Sequence, residues 1–161
     1  EVGSGDPVSD FADIEEELNM WYHKILEGNR DKLKKIAESD NDSVNALTEL
    51  YQGLSVKKNH VKEALKITKL EEKDIENYDI HDSKKFSAEL RRISKPTLIV
   101  ANKIDVKGAG KNFQRLRERY NDMIVVPASA DSELSLRRAE QKELIKYSPG
   151  SEPFDILKAN R

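Results

Sequence analysis

The sequence holds 161 residues, with 28 Lys and Arg against 30 Asp and Glu, for a formal net charge of -2. Apolar residues at 37% and charged residues at 36% suffice for one or two small cores and exclude collagen-like or low-complexity material. The lack of Cys excludes disulfide scaffolds, thiolate zinc sites and cysteine nucleophiles, and no apolar run nears the roughly 20 residues of a membrane span. The expectation is therefore a cytoplasmic chain with no membrane partner.

Charge divides unevenly. Residues 1–80 carry 11 basic and 19 acidic side chains, and the remaining 81 carry 17 and 11. This seam predicts two units, a helical one over 1–80 and an α/β one over 81–161. In the first, Asp6-Pro7 is a start signal, and Phe11, Ile14, Leu18, Trp21 and Ile25 recur at helical spacing with Asp13, Glu15, Glu16 and Glu17 opposite. Trp21 with Tyr22 reads as a core anchor, with a protein-docking hot spot as the alternative. Gly28-Asn29 marks a stop. A second helix from Ser43 carries Val44, Leu47, Leu50, Tyr51 and Leu54, and a third carries Val61, Ala64, Leu65 and Thr68. Such helices bury their stripes as a bundle or hairpin, or form a partner-binding arm.

A further helical pattern over 82–93 (Phe86, Leu90, Ile93) ends at Ser94-Lys95-Pro96, and the period then changes. Thr97 to Ala101 is a continuous apolar run, as expected of a parallel strand buried on both faces, and Met123 to Val126 is a second one. Phe113, Leu116 and Tyr120 place a basic helix between them, completing a βαβ unit whose strands end on one edge of a sheet, where open α/β folds bind ligands.

The first strand runs into Asn102-Lys103-Ile104-Asp105 and the second into Pro127-Ala128-Ser129-Ala130, an N-K-x-D element and an S-A element. Guanine presents two adjacent donors that one carboxylate accepts together, a pair adenine does not supply. Asp105 is the candidate base reader, with the Lys103 stem along the purine face, Asn102 on the base edge and neighbouring loops, and backbone N–H groups around Ser129 and Ala130 facing the guanine carbonyl.

On these motifs, and on the stretches Glu133 to Ala139 and Tyr147 to Gly150, the sequence resembles the P-loop GTPases, within them the Obg-related YchF type found in archaea. Gly5-Asp6-Pro7 and the acidic helix with Trp21 resemble the helical insertion of that subfamily. The resemblance implies an α/β fold with a large helical part: a helical insertion followed by the C-terminal βαβα portion of a P-loop GTPase domain. It also implies a guanine nucleotide partner and a link to ribosome or RNA.

The chain departs from that family in lacking G-x-x-x-x-G-K-[ST], which cradles the phosphates and serves magnesium. Its Gly110-Lys111 pair has Asp105 five positions before Gly110 and Asn112 after Lys111, so it reads as a turn. Asp105 to Gly108 spells D-x-x-G, but that carboxylate is assigned to the base. The expectation is a fragment without P-loop or C-terminal ubiquitin-like domain that binds GTP weakly or not at all and hydrolyses none, magnesium belonging to the intact protein alone. Two parallel strands leave an open sheet edge, predicting self-association, local disorder or coverage by the helical part. His23, His60 and His81 lack metal-ligand spacing and read as surface or capping residues. The alternative function is a non-catalytic helical module docking on ribosome or protein.

Overall fold

The computed structural model describes residues 5–40, 42–151 and 153–157, setting aside the side chains of 37–40. They form two compact units, one over Phe11–Thr97 and one of residues 5–10 with Leu98 onward. The seam expected at residue 80 thus lies closer to Pro96. The helix between these points buries Phe86 and Leu90 in the helical core, which outweighs the shift in charge balance.

In the helical unit α1 spans Pro7–Glu27, α2 Arg30–Asp40, α3 Ser43–Leu50, α4 Lys58–Thr68 and α5 Ile80–Ser94. Polar caps start them: Asp6 Oδ1 accepts from the Val8 amide at 3.2 Å, Asp42 from Asn45 at 3.0 Å and Asp79 from Asp82 at 2.8 Å. The α4 stripe is buried as expected, with Val61, Ala64, Leu65 and Thr68 inside. His60 Nδ1 accepts from the Lys57 amide at the start of α4. One core joins Tyr22, Leu26, Leu33, Leu47, Tyr51, Val61, Phe86 and Leu90, each such side chain contributing about 1.5–3 kcal/mol. Tyr22 and Tyr51 stack at 5.4 Å, and the buried Tyr51 hydroxyl donates to the Tyr22 carbonyl at 2.8 Å. Burial raises the Tyr51 phenol far above its ordinary value.

Three expectations need correction here, and one helix was not anticipated. Gly28-Asn29 ends α1 but opens directly into α2, which the sequence hid because only Leu33 and Ile36 break its charged run. Trp21 is not a core anchor: it is 49% exposed, as are large parts of Ile14 and Leu18, while Tyr22, His23 and Leu26 are buried. The buried sector of α1 thus lies about a quarter turn from its apolar stripe, at 3.6 residues per turn. Glu15, read as solvent-facing, instead meets the buried Arg91 of α5 at 2.7 Å, and Arg91 also donates to Asn19 at 2.9 Å. That pairing draws this sector inward, and His23, expected at the surface, goes with it.

In the other unit β1 (Leu98–Ala101) and β2 (Ile124–Pro127) pair in parallel, Leu98 opposite Ile124 and Ala101 opposite Pro127. Between them α6 (Ala109–Arg119) packs on β2. Arg115 reaches Asp6 at 3.1 Å and the Tyr120 hydroxyl donates to the Val8 carbonyl, which ties residues 5–10 to this unit. Only one face of β1 is covered. Ile99 and Ala101 are buried, whereas Leu98 and Val100 stand exposed beside Ile124 and Val126, contrary to the expected burial on both faces. The run of four apolar residues looked two-sided, yet among the described residues this sheet has two strands and this face no cover.

Helix α7 (Ala130–Gln141) leads to a short antiparallel pair not anticipated from sequence, β3 (Ile145–Lys146) and β4 (Asp155–Ile156). Strands of two residues leave no periodic signal. Glu133 of α7 fastens this end: Tyr147 donates to its carboxylate at 2.6 Å and Arg137 at 2.7 Å.

Candidate nucleotide-base site

Both strands of the parallel pair end on the same edge, and the loops that leave them are stitched together by backbone. The Ala128 amide donates to the Ala101 carbonyl at 3.0 Å and the Ile104 amide to the Ala128 carbonyl at 3.1 Å. Asn102 completes the seam with its side chain, its Oδ1 accepting from the Lys103 amide at 2.8 Å and from the Ala130 amide at 3.1 Å. Lys103 takes a left-handed conformation, φ 65°, which costs a non-glycine residue about 1–2 kcal/mol and turns the chain sharply between Asn102 and Asp105. Gly108, φ 92°, then sits at the start of α6, where a side chain would be strained. Lys111 of the Gly110-Lys111 pair lies within that helix.

Asp105 is exposed, with the Ser129 hydroxyl beside its carboxylate. The Ser129 hydroxyl first, and a backbone amide second, hold it below the usual carboxylate range. Ser129 is also the cap of α7: its Oγ accepts from the Ser132 amide at 3.2 Å and lies 2.8 Å from the Ser132 hydroxyl. One serine therefore aims the carboxylate and starts the helix beside it.

The loops enclose an open recess of about 490 Å³ lined by Asn102, Lys103, Asp105, Val106, Ala130, Asp131 and Leu134. Its size suits a small planar ligand. Of the five residues expected from sequence, Asn102, Lys103, Asp105 and Ala130 line it, while Ser129 supports Asp105 instead of lining the recess. Val106, Asp131 and Leu134 were missed. Helical spacing held the signal for the last two, since Ala130, Asp131 and Leu134 share the first turns of α7. The Ala130 amide already donates to Asn102, so among the described residues the Asp131 amide is the next donor at this helix start.

Residues 100–161, the segment holding both loops, match the family described as "Obg-like GTPase YGR210-like, G4 motif-containing domain". Over that segment the chain is similar to Obg-like GTPases. Over 152 residues it is 38% identical to an uncharacterised GTP-binding protein of Methanocaldococcus jannaschii, an alignment covering 94% of this chain and 37% of the relative. An uncharacterised GTP-binding protein of Schizosaccharomyces pombe is 29% identical over 156 residues, covering 94% and 37%. The crystal structure of a GTP-binding protein from Pyrococcus horikoshii superposes with a TM-score of 0.77 at 35% identity, over 89% of this chain and 42% of that one. The chain thus spans about two fifths of the length of these relatives. The mixed α/β fold with its short parallel sheet agrees with part of a P-loop GTPase. Among the described residues no helix is long and apolar enough to cross a membrane.

Proposed function

We propose that this chain carries the guanine-reading loops of a translation-associated, YchF-type GTP-binding protein. The observation that supports this reading is the Asp105 carboxylate, with the Ser129 hydroxyl beside it, on the rim of a recess at the ends of two parallel strands. In this reading Asp105 accepts from guanine N1–H and the exocyclic amine. Lys103 lays its methylenes along the ring, and Asn102 keeps the two loops in register. The guanine carbonyl meets the start of α7, where the Asp131 amide adds to the positive end of the helix. Phosphate and magnesium contacts belong to a P-loop, a motif this sequence does not contain, so base contacts alone give a dissociation constant on the order of 1 mM and no hydrolysis.

Amide chemical shifts of the 161-residue chain, titrated with GMP, AMP and XMP, test this. GMP is expected to perturb residues 102–106 and 129–134 more than AMP does. Asp105→Asn is expected to move the preference to XMP, because replacing one acceptor by an amide donor suits xanthine. Equal responses to GMP and AMP, or an unchanged preference in the variant, refute the assignment. A second reading, a helical module that docks on a ribosomal or other protein partner, is supported by the exposure of Trp21 and is compatible with the first.

A further inference from the structure

Helix α1 carries six acidic side chains and one lysine in 21 residues. Two of the six are engaged in the fold, Glu15 with Arg91 and Glu27 with Arg30. Asp13, Glu16 and Glu17 are exposed, and among the described residues none of them forms an ion pair. On the adjoining side of the helix runs an uncovered apolar strip, Ile14, Leu18 and Trp21, at helical spacing i, i+4, i+7, with Glu17 next to it and Asp13 and Glu16 further round. An apolar strip left on the surface at this regular spacing is the usual signature of a face that pairs with another element.

Trp21 is also pre-set. Its ring meets Tyr22 edge to face at 5.8 Å, and Tyr22 is itself stacked on Tyr51 in the core, so the exposed indole stands on a fixed base and loses little freedom on docking. Beside it opens a recess of about 420 Å³ lined by Glu16, Glu17, Met20, Trp21 and Lys24. Aromatic anchors beside a small recess are what interface hot spots are made of.

The rim chooses the partner. Three exposed carboxylates, Asp13, Glu16 and Glu17, against the single Lys24 on the side of α1 that continues from Trp21 repel nucleic acid and anionic lipid, and attract a segment that presents Lys or Arg around apolar residues. We infer that the α1 face of Ile14, Leu18 and Trp21 docks a basic amphipathic protein segment, whose apolar side covers the strip and whose cations reach round Trp21 into the recess lined by Glu16 and Glu17. This surface is distinct from the nucleotide-base recess.

Trp21 is the sole tryptophan, so its emission reports the site directly. The probe is a fluorescein-labelled 18-residue peptide with Leu and Lys at helical spacing. The controls are its Glu-for-Lys counterpart and a labelled single-stranded RNA 12-mer. The basic peptide is expected to blue-shift Trp21 saturably, with a dissociation constant on the order of 10 μM at low salt. Affinity should weaken severalfold at 0.5 M salt, where charges are screened. Trp21→Ala, read by peptide anisotropy, and the pair Glu16→Lys with Glu17→Lys, read by both signals, should each weaken binding about tenfold or more while leaving the helical circular dichroism unchanged. No saturable change up to 1 mM peptide overturns the proposal. So does equal affinity for the acidic peptide or the RNA, or unaltered binding by both variants. A blue shift that grows with protein concentration alone assigns the face to a second copy and likewise overturns it.

Discussion

The helical unit and the sheet unit solve the same problem to different degrees. In the helical unit α1 to α5 converge on one core in which Leu26, Leu47, Tyr51, Val61, Phe86 and Leu90 are fully enclosed. In the sheet unit Ile99, Leu116 and Tyr120 are buried, while Leu98, Val100, Ile124 and Val126 leave one face of the sheet uncovered. Rigidity in the sheet unit comes more from directional bonds: the Asn102 clamp, the Ser129 cap and the Glu133–Tyr147 contact. Thus burial concentrates stability in one region, and hydrogen bonding concentrates geometric definition in the other, beside the recess.

The sharpest way to break this comparison is to replace one apolar side chain in each region. Phe86→Ala should cost about 3–5 kcal/mol by urea denaturation, because the ring is enclosed on all sides. Val100→Lys, at a position 57% exposed, should change stability by less than about 0.5 kcal/mol. It should also reduce the concentration-dependent sedimentation expected of an open sheet with an apolar face. Equal costs at the two positions would erase the distinction. Next in size is Glu15→Ala, which leaves the Arg91 guanidinium buried without its carboxylate and should cost about 3 kcal/mol. A small loss there would mean that packing alone holds α1 against α5.

Lys69 ends α4 in a left-handed conformation, φ 60°, which glycine adopts without strain. Lys69→Gly should therefore raise the melting temperature slightly, by about 0.5–1 kcal/mol of stability. The smallest effect belongs to the sheet unit. Tyr147 first, then Arg137, lower the affinity of Glu133 for protons in the folded state. The unfolded chain thus binds more protons there, and the contribution is present above about pH 4.5 and lost as pH falls through the folded value. Tyr147→Phe should lower the melting temperature at pH 7 and converge with the parent toward pH 3. A constant gap across that range would assign the loss to packing.

The parts legible in the sequence were those decided within a few residues. Asp6, the start signal of α1, caps that helix through a bond to an amide two positions on. The α4 stripe is buried as its periodicity suggests, and the loop after β1 places Asn102, Lys103 and Asp105 together because they adjoin in the chain. Less legible were features that depend on distant partners. Helix α2 rests on Leu33 in a core built from other helices. Leu134 joins the base recess only because α7 starts beside Lys103, and Ser129 supports Asp105 from the other loop.

Caps, strand runs and the chemistry of the two loops were thus set by the order of residues, through bonds spanning less than one helical turn. Which sector of α1 lies inside, which face of β1 stays uncovered and how Asp105 meets Ser129 were decided only in three dimensions. Periodicity states where apolar groups lie on an element, but burial depends on whether another element covers them. On α1 the pairing of the half-buried Glu15 with the buried Arg91 goes with an inward sector that excludes Trp21, so the apolar stripe and the buried face part company.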